Sequence, residues 1–165
     1  MFTERFLRHR RVAVPSQAER ARLEAAVSAV QSVPARTVHV REGQELSYST
    51  FLIEGIMCRY MDDRNGLRQL VAVHFPGDFV DLHGYPLQKL DHDVATLTAV
   101  KIALVPHDAL DVIIAELPDL ARKLWFATLI DAAIHRAWLF RLGRLDAAGR
   151  VAHFLCEANA RLEAV

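Results

Sequence analysis

FLIEGIMCRYMDDRNGLRQLVAVHF, residues 51–75, is the part of the chain that most strongly indicates its fold class. It contains two runs rich in bulky apolar and β-branched side chains, residues 51–61 and 67–75. The polar residues 62–66 between them end in Gly66, which tolerates the positive φ of a tight turn. We therefore predict two consecutive strands joined by a hairpin.

Shorter β-type segments flank the hairpin on both sides. Val38 and Val40 alternate with polar neighbours, which is the period of a half-buried strand. Residues 94–105 return to β-type composition in two short stretches, and the break at residues 76–78, Pro-Gly-Asp, separates them from the hairpin. Half-buried strands at this regular spacing must cover one another, so the sequence predicts a closed β roll or jelly roll.

Helices are predicted before and after the roll. Residues 16–19, SQAE, have the pattern of a capping box, and apolar residues then recur at helical spacing as far as Val30. Pro34 is predicted to end this first helix. After the roll, Asp108 is placed to cap a short helix that reaches Leu117.

A much longer helix follows. Pro118 is placed to begin it, residues 119–142 contain neither Pro nor Gly, and Gly143 is predicted to end it. At about 1.5 Å per residue such a helix extends roughly 36 Å, which is too long for one face of a small roll. Asp146 is then placed to cap a last helix.

Two apolar stripes run along the long helix. The first is expected to pack on the roll and consists of Phe126, Ile130, Ala133, Ala137 and Phe140. The second would leave Trp125 and Leu139 in water unless an identical helix covered it across a two-fold axis. We therefore predict a homodimer, and its interface residues are Ala121, Trp125, Thr128, Ala132, His135 and Leu139.

Composition restricts the classes of function. Lys and Arg number 20, as do Asp and Glu, so no global field attracts the chain to nucleic acid or to an anionic membrane. No segment approaches the roughly 20 apolar residues of a membrane span, and the first eleven residues are too polar for a secretory signal. Cys58 and Cys156 match no disulfide framework or metal spacing and are expected to be buried free thiols. These features predict a cytoplasmic protein without a membrane partner.

Several short strings, in this order of elements, resemble the Crp/Fnr superfamily of transcription regulators. They are Glu42-Gly43 after the first strand, GLRQ at 66–69, PGDF at 76–79, Leu145-Asp146, and GRVA at 149–152. The match covers nearly the whole chain. It implies a mainly β fold with α: a cyclic-nucleotide-binding-like double-stranded β-helix (jelly roll) plus a long C-terminal dimerisation helix. Residues 1–117 correspond to an N-terminal helix and β-roll sensor domain, 118–143 to the dimerisation helix, and 144–165 to the start of the connection to a DNA-binding domain.

The resemblance also locates a segment for an effector. In the cyclic-nucleotide-binding members, a Phe-Gly-Glu string and a later Arg-Ser or Arg-Thr bind the ribose and the cyclic phosphate. The aligned positions here are Phe79-Val80-Asp81 and His92-Asp93. Val80 adds a side chain where the backbone should approach an anion, His92 is mostly neutral at pH 7, and Asp93 has the wrong charge. We therefore expect a small-molecule effector other than cyclic AMP, if there is one, and the cofactor is unknown.

The ligand-binding residues implied by the resemblance surround this segment. His135 aligns with a threonine that caps the base in the nucleotide binders. It also lies on the dimer stripe, where its protonation towards pH 6 would weaken the dimer; packing or a hydrogen bond across the interface is the alternative. The complete set is Gly77, Asp78, Phe79, Val80, Asp81, His92, Asp93 and His135.

The chain lacks two features that are found in members of the family. The iron-sulfur members carry a cysteine cluster near the N-terminus, whereas the first thirty residues here contain no cysteine. The DNA-reading helix-turn-helix follows the last helix, and the chain ends at Val165 before it. We expect a fragment of a longer regulator that contacts DNA only through that helix-turn-helix; the alternative is a stand-alone module that binds a ligand or a partner.

Three further hypotheses concern metals, catalysis and DNA. Residues 81–83 and 91–93 bring His and Asp side chains to one loop, but their spacing fits no known metal site, so we predict no metal. A cupin-like enzyme would need two histidines one residue apart, which do not occur, and no catalytic constellation replaces them, so we predict no enzyme. A basic start is predicted to be a solvated terminus, with DNA contact as the alternative, and contains Arg5, Arg8, Arg10 and Arg11.

Overall fold

The computed structural model describes residues 1–8 and 13–163. A short 3-10 helix at Phe2–Arg5 precedes the regular elements. The strands are β1 (Ala29–Val33), β2 (Val38–Val40), β3 (Tyr48–Glu54), β4 (Met57–Asp62), β5 (Arg68–His74), β6 (Asp93–Thr96) and β7 (Val100–Pro106). The helices are α1 (Gln17–Ala25), α2 (Gly84–Leu87), α3 (His107–Glu116), α4 (Pro118–Arg144) and α5 (Ala147–Glu163).

Two antiparallel sheets form the roll. The first has the strand order β1-β7-β3 and the second the order β2-β6-β4-β5. Side chains from both sheets meet in one buried cluster, in which Leu52 and Ile102 of the first sheet pack with Met57 and Val94 of the second. The hairpin of β4 and β5 is present as predicted. This architecture confirms the predicted β roll followed by a long helix, in a chain of mixed α and β structure.

Gly55 divides the first run of the predicted hairpin into two strands that lie in different sheets. β3 pairs with β7, whereas β4 pairs with β5 and β6. Gly55 has a φ of +87°, and a Cβ at this position would lie 2.3 Å from the carbonyl oxygen of Ala99, so only glycine fits this turn. The prediction of one strand over residues 51–61 is therefore wrong, because the apolar run crosses from one sheet to the other without a polar turn.

The N-terminal helix is shorter than predicted. Its capping box is present: the Ser16 hydroxyl accepts from the Glu19 N–H at 3.2 Å, and the Glu19 carboxylate accepts from the Ser16 N–H at 2.6 Å. However, α1 ends at Ala25, and residues expected to continue it form β1. Val30 lies opposite Ala103 in the ladder between β1 and β7. Backbone bonds to a neighbouring strand replace those of a helix here, which suits a β-branched side chain.

The helices after the roll begin and end close to their predicted limits. α3 begins at His107, so Asp108 lies inside its first turn rather than at the cap. α4 begins at Pro118 as predicted and ends at Arg144, one residue past the predicted end. Asp146 accepts a hydrogen bond of 2.8 Å from a backbone N–H in the first turn of α5, which confirms it as the cap of that helix.

α4 packs on the roll through a different face from the predicted one. Leu120 and Leu124 are buried in the main core cluster, and Asp131 faces β4. Phe140, which the first apolar stripe predicts on the roll side, is 68% exposed. This rotation places Asp131 against the buried Arg59, and an unpaired guanidinium in the core costs more than one exposed aromatic ring.

The N-terminal residues pack against the roll, which corrects the prediction of a solvated terminus. Phe6 is buried, and its ring is T-shaped to those of Phe51 and Phe79, with centroid distances of 6.2 and 5.6 Å. These aromatic contacts hold the first segment of the chain on the core. Arg10 and Arg11 of the basic start lie outside the described residues.

The two cysteines differ in burial. Cys58 on β4 is buried as predicted, and burial raises the pKa of its thiol. Cys156 on α5 is exposed, so the prediction that it is buried is wrong. The reason is the orientation of α5, which contacts α4 through Glu157 and leaves the neighbouring position 156 in water.

Candidate functional site

The turn at Gly77 and Asp78 leads from β5 into the predicted effector segment. Gly77 has a φ of +101°, and a Cβ there would approach the carbonyl oxygen of Arg5 to 2.9 Å. The Gly77 N–H donates to the carbonyl of Leu52 at 2.8 Å, and the carbonyl of Asp78 accepts from the Leu52 N–H at 2.9 Å. Both bonds hold the turn on β3, so the Gly77 N–H is already used within the fold.

The residues after this turn face into the roll. Phe79 and Val80 are buried, and the Val80 N–H donates to the carbonyl of Thr50 at 2.9 Å. Asp81 is also buried; its Oδ1 accepts a bond of 2.5 Å from the Thr50 N–H, and its Oδ2 has no hydrogen-bond partner within the described part of the chain. Burial raises the pKa of Asp81 to about 6, although the bonds from Thr50 and the charge of Arg59 act in the opposite direction.

Asp93, His92 and His135, the other predicted effector residues, have hydrogen-bond partners within the fold. Asp93, at the start of β6, accepts a hydrogen bond of 2.8 Å from the backbone N–H of Glu42. His92 places Nδ1 2.7 Å from the carboxylate of Asp91. His135 on α4 places Nδ1 2.9 Å from a backbone carbonyl one turn earlier. Each of the three thus already has a hydrogen-bond partner within the chain.

Arg59 occupies the centre of this region, although it is absent from the residues predicted from the sequence. It projects from β4, is 2% exposed, and donates from Nε to the carbonyl of Val80 at 2.6 Å. Its Nη1 donates to Oδ2 of Asp131 on α4, also at 2.6 Å. One buried guanidinium therefore connects a strand, the effector segment and the long helix. The available signal was an arginine in an apolar strand, where a buried charge requires a partner.

Three histidines surround this ion pair and are neutral at pH 7. Burial, together with the positive charge of Arg59, lowers the pKa of His74 to about 4 and that of His83 to about 3. The pKa of His92 is lowered by the same two causes, and its ring centroid lies 5.3 Å from that of His83. Burial opposes the ionisation of Asp131, but Arg59 lowers its pKa, so the pair stays charged.

A cavity of about 550 Å³ lies beside the ion pair. Its walls come from the N-terminal segment, the turn after β5, α4 and the end of α5. This cavity divides the predicted effector residues into two groups. Gly77, Asp78 and Phe79 line it together with Arg59, whereas the residues that do not line it are Val80, Asp81, His92, Asp93 and His135.

The predicted dimer residues lie along the outer side of α4. Trp125 is 64% exposed and Leu139 is 70% exposed. Leu129 and Phe140, which are outside the predicted set, share this side; the four residues are called the apolar α4 face below. The other predicted members are partly exposed: Ala121, Thr128, Ala132 and His135. Thr128 also lines the cavity.

Within residues 1–8 and 13–163, no group of three or more His, Cys, Asp or Glu side chains is arranged to hold a metal ion. None of the helices in those same ranges is long and apolar enough to cross a membrane.

Comparison with known proteins identifies relatives of this fold. The family model for the cyclic nucleotide-binding domain matches residues 30–116. A protein of Rhizobium leguminosarum named "Probable transcriptional activator" is 32% identical over 118 residues, which cover 70% of this chain and 48% of that protein. Transcriptional activator protein FnrL of Cereibacter sphaeroides is 24% identical over 149 residues, covering 90% of this chain and 59% of FnrL.

A solved structure shows the same arrangement of elements. FixK2 from Bradyrhizobium japonicum superimposes with a TM-score of 0.75 at 26% identity, covering 81% of this chain and 66% of FixK2. The chain spans about half the length of the curated relatives it matches. The family match runs from β1 to the end of α3, which is the whole roll with its flanking helix. The chain therefore belongs to the cyclic nucleotide-binding domain family and is a sensing domain of the Crp/Fnr type.

Proposed function

We propose that the chain is the effector-sensing and dimerisation module of a DNA-binding transcription regulator that acts as a homodimer in the cytoplasm. Its similarity to named transcriptional activators supports this function. In this assignment residues 1–117 form the domain that senses the effector, and residues 118–143 form the helix through which two subunits dimerise. Residues 144–165 begin the connection to a DNA-binding domain. DNA contact belongs to a helix-turn-helix of the longer protein. No catalytic activity is assigned.

The apolar α4 face carries this proposal. Trp125, Leu129, Leu139 and Phe140 each expose more than half of their surface, although the opposite side of α4 packs on the roll. Soluble monomers rarely leave four large apolar side chains on one side of a helix open to water. A second copy related by a two-fold axis covers both surfaces at once, because the same residues of the two helices meet.

The Arg59–Asp131 pair offers a route from the roll to this interface. The guanidinium also binds the carbonyl of Val80, so a shift of the effector segment acts on α4 through a single side chain. Such a shift regulates the helix pair only if the effector binds two helix arrangements with unequal affinity.

Cyclic AMP is not the expected effector. Its phosphate would have to displace the Asp131 carboxylate from Arg59, and the nearby histidines are neutral and add no positive charge. Asp93 would repel it further: two like charges about 4 Å apart repel by about 4 kcal/mol at an effective dielectric near 20. Calorimetric titration with millimolar cyclic AMP should show no saturable binding, and saturation at one site per chain would contradict this part of the proposal.

The dimer is tested by substitution on the apolar α4 face. Wild-type protein should sediment as a dimer, and Trp125→Glu with Leu139→Glu should shift it to a folded monomer, because two-fold symmetry places four carboxylates in one interface. The matched control is Leu67→Glu, since Leu67 is 71% exposed but lies in the β4–β5 turn. A folded wild-type monomer at high concentration, or dimer loss in the control as well, would refute the assignment.

A further inference from the structure

Six separate parts of the chain line the cavity beside the Arg59–Asp131 pair. They are residues 5–8, Arg59 of β4, residues 74–79, residues 82–83, residues 127–134 of α4, and residues 160–161 of α5. Its volume of about 550 Å³ is typical of small-molecule sites. Of the positions that align with the nucleotide-binding strings, Phe79 lines the cavity, whereas Val80, Asp81, His92 and Asp93 do not.

The walls of this cavity carry an excess of positive charge. Four arginines and two aspartates line it, and its two histidines are neutral at pH 7, so two positive charges are uncompensated. Arg5 and Arg8 lie one turn apart, and their side chains form no ion pair with any residue that the structure describes. The arginines that do have aspartate partners are Arg59, with Asp131, and Arg161, with Asp78.

Apolar side chains form much of the remaining wall. Phe6, Leu82, Ile130 and Ile134 line the cavity, and the first two also belong to the main core cluster. An inorganic ion would leave this apolar surface in contact with water. A ligand with a negatively charged group and an apolar part can bind the arginines through the first and cover the apolar side chains with the second.

The last turn of α5 lies at the edge of the cavity. Arg161 donates to the carbonyl of Val73 at 2.9 Å and to the carboxylate of Asp78. Its guanidinium also stands 4.8 Å from the ring centroid of Phe75. A ligand in the cavity therefore touches α5 and the N-terminal segment together.

We propose that this cavity binds a small organic acid, with its carboxylate held by Arg5 and Arg8 and its apolar part against Ile130 and Ile134. The acid is the effector class for the sensor proposed above, and in that respect the inference rests on the proposed function. Charge-assisted hydrogen bonds from arginine to carboxylate provide the discrimination against neutral molecules.

Calorimetry with the full chain tests the site, using 4-phenylbutyrate as the probe and the uncharged 4-phenylbutanamide as its match. The acid should bind at one site per chain, and the amide should bind at least about tenfold more weakly, the effect of one charge-assisted bond. Inorganic phosphate, which lacks the apolar part, should also bind more weakly than the acid. Equal affinity for acid and amide, equal affinity for phosphate, or no binding of the acid overturns the inference.

Substitutions locate the site. Arg5→Gln with Arg8→Gln should weaken binding of the acid at least about tenfold and leave binding of the amide unchanged, since glutamine keeps a polar N–H donor but carries no charge. Arg64→Gln, which removes an exposed arginine of the β4–β5 turn, is the control. If the double variant does not fold, Arg8→Gln alone decides, because Arg8 is exposed. Unchanged acid binding in these variants, or the same loss in the control, overturns the inference.

Light scattering on the same samples separates this inference from the proposed function. An intact dimer without acid binding overturns this inference and leaves the proposed dimerisation module standing. Acid binding by a protein that is monomeric at all concentrations supports the site and contradicts the dimerisation module.

Discussion

The guanidinium of Arg59 on β4 lies 2.6 Å from the carboxylate of Asp131 on α4, and this contact orients the long helix. Apolar side chains such as Leu120 and Leu124 tolerate several rotations of α4 against the roll. A buried charge tolerates only the rotation that brings its partner within reach. The side of α4 that remains exposed, including Trp125, therefore lies opposite the side that carries Asp131, Leu120 and Leu124.

Asp131→Asn should lower the free energy of unfolding by about 3 kcal/mol, because it leaves the Arg59 charge buried without a counter-ion. Urea unfolding measures the change. The control is Glu116→Gln, which removes the exposed partner of Arg22 and should cost less than about 1 kcal/mol.

A double variant that removes both charges of the Arg59–Asp131 pair tests whether the loss of stability comes from an unpaired buried charge. Arg59→Met with Asp131→Leu removes both charges and should recover most of the stability lost in Asp131→Asn. A double variant that is less stable than the single one, or equal losses for Asp131→Asn and Glu116→Gln, would show that the pair does not determine the roll–helix contact.

The stability of the protein should depend on the ionisation of Asp81. Its pKa in the folded chain is about 6, against an ordinary value of 3.8, because the carboxyl group is buried. As the pH rises, the unfolded chain loses this proton first. The contribution of Asp81 to the free energy of unfolding is therefore complete below about pH 4 and falls by about 3 kcal/mol as the pH rises to about 6.

Asp81→Asn should remove this dependence, since the amide oxygen still accepts from the Thr50 N–H and cannot ionise. Relative to wild type, the variant should gain stability between pH 4 and pH 7, by about 3 kcal/mol in the full case. Urea unfolding of both proteins across this range gives the difference, and a difference that stays constant with pH would mean that Asp81 keeps an ordinary pKa.

Gly77→Ala should destabilise the protein more than Gly66→Ala. Both glycines have positive φ, +101° and +78°, so alanine costs about 1 to 2 kcal/mol at either position. At Gly66 nothing lies within 4 Å of the added Cβ, whereas at Gly77 it meets the backbone of Arg5 at 2.9 Å. Only Gly77→Ala should also expose the N-terminal segment to trypsin; equal behaviour of the two variants would refute the close packing of Arg5 on the turn.

One of the two thiols should react with Ellman's reagent in the native protein. Cys156 is exposed on α5, whereas Cys58 is buried and burial raises the pKa of its thiol, which keeps it protonated. Cys156→Ser should abolish the native reaction, and Cys58 should react only after unfolding. Rapid modification of both thiols in the native state would contradict the burial of β4.

Features that depend on neighbours in the chain were predictable. The hairpin turn ending at Gly66, the capping box at Ser16 and the start of α4 at Pro118 each follow from a few adjacent residues. The candidate site was predictable only in part. The segment from Gly77 to Asp81 was recognised through a resemblance, but the burial of Asp81 and the central role of Arg59 could not be read from it.

The sequence by itself determined the class of the fold, the turn between β4 and β5, the start of α1 and the limits of α4, because residue periodicity, turns and caps act over short distances along the chain. Only the tertiary structure decided that Gly55 separates strands of two different sheets. It also decided that residues 29–33 form β1, which pairs with β7 in the first sheet. It alone decided that Arg59 meets Asp131, at a separation of 72 residues, and hence which side of α4 remains open. A buried charge and its partner are recognisable as a pair only once the fold has brought them together.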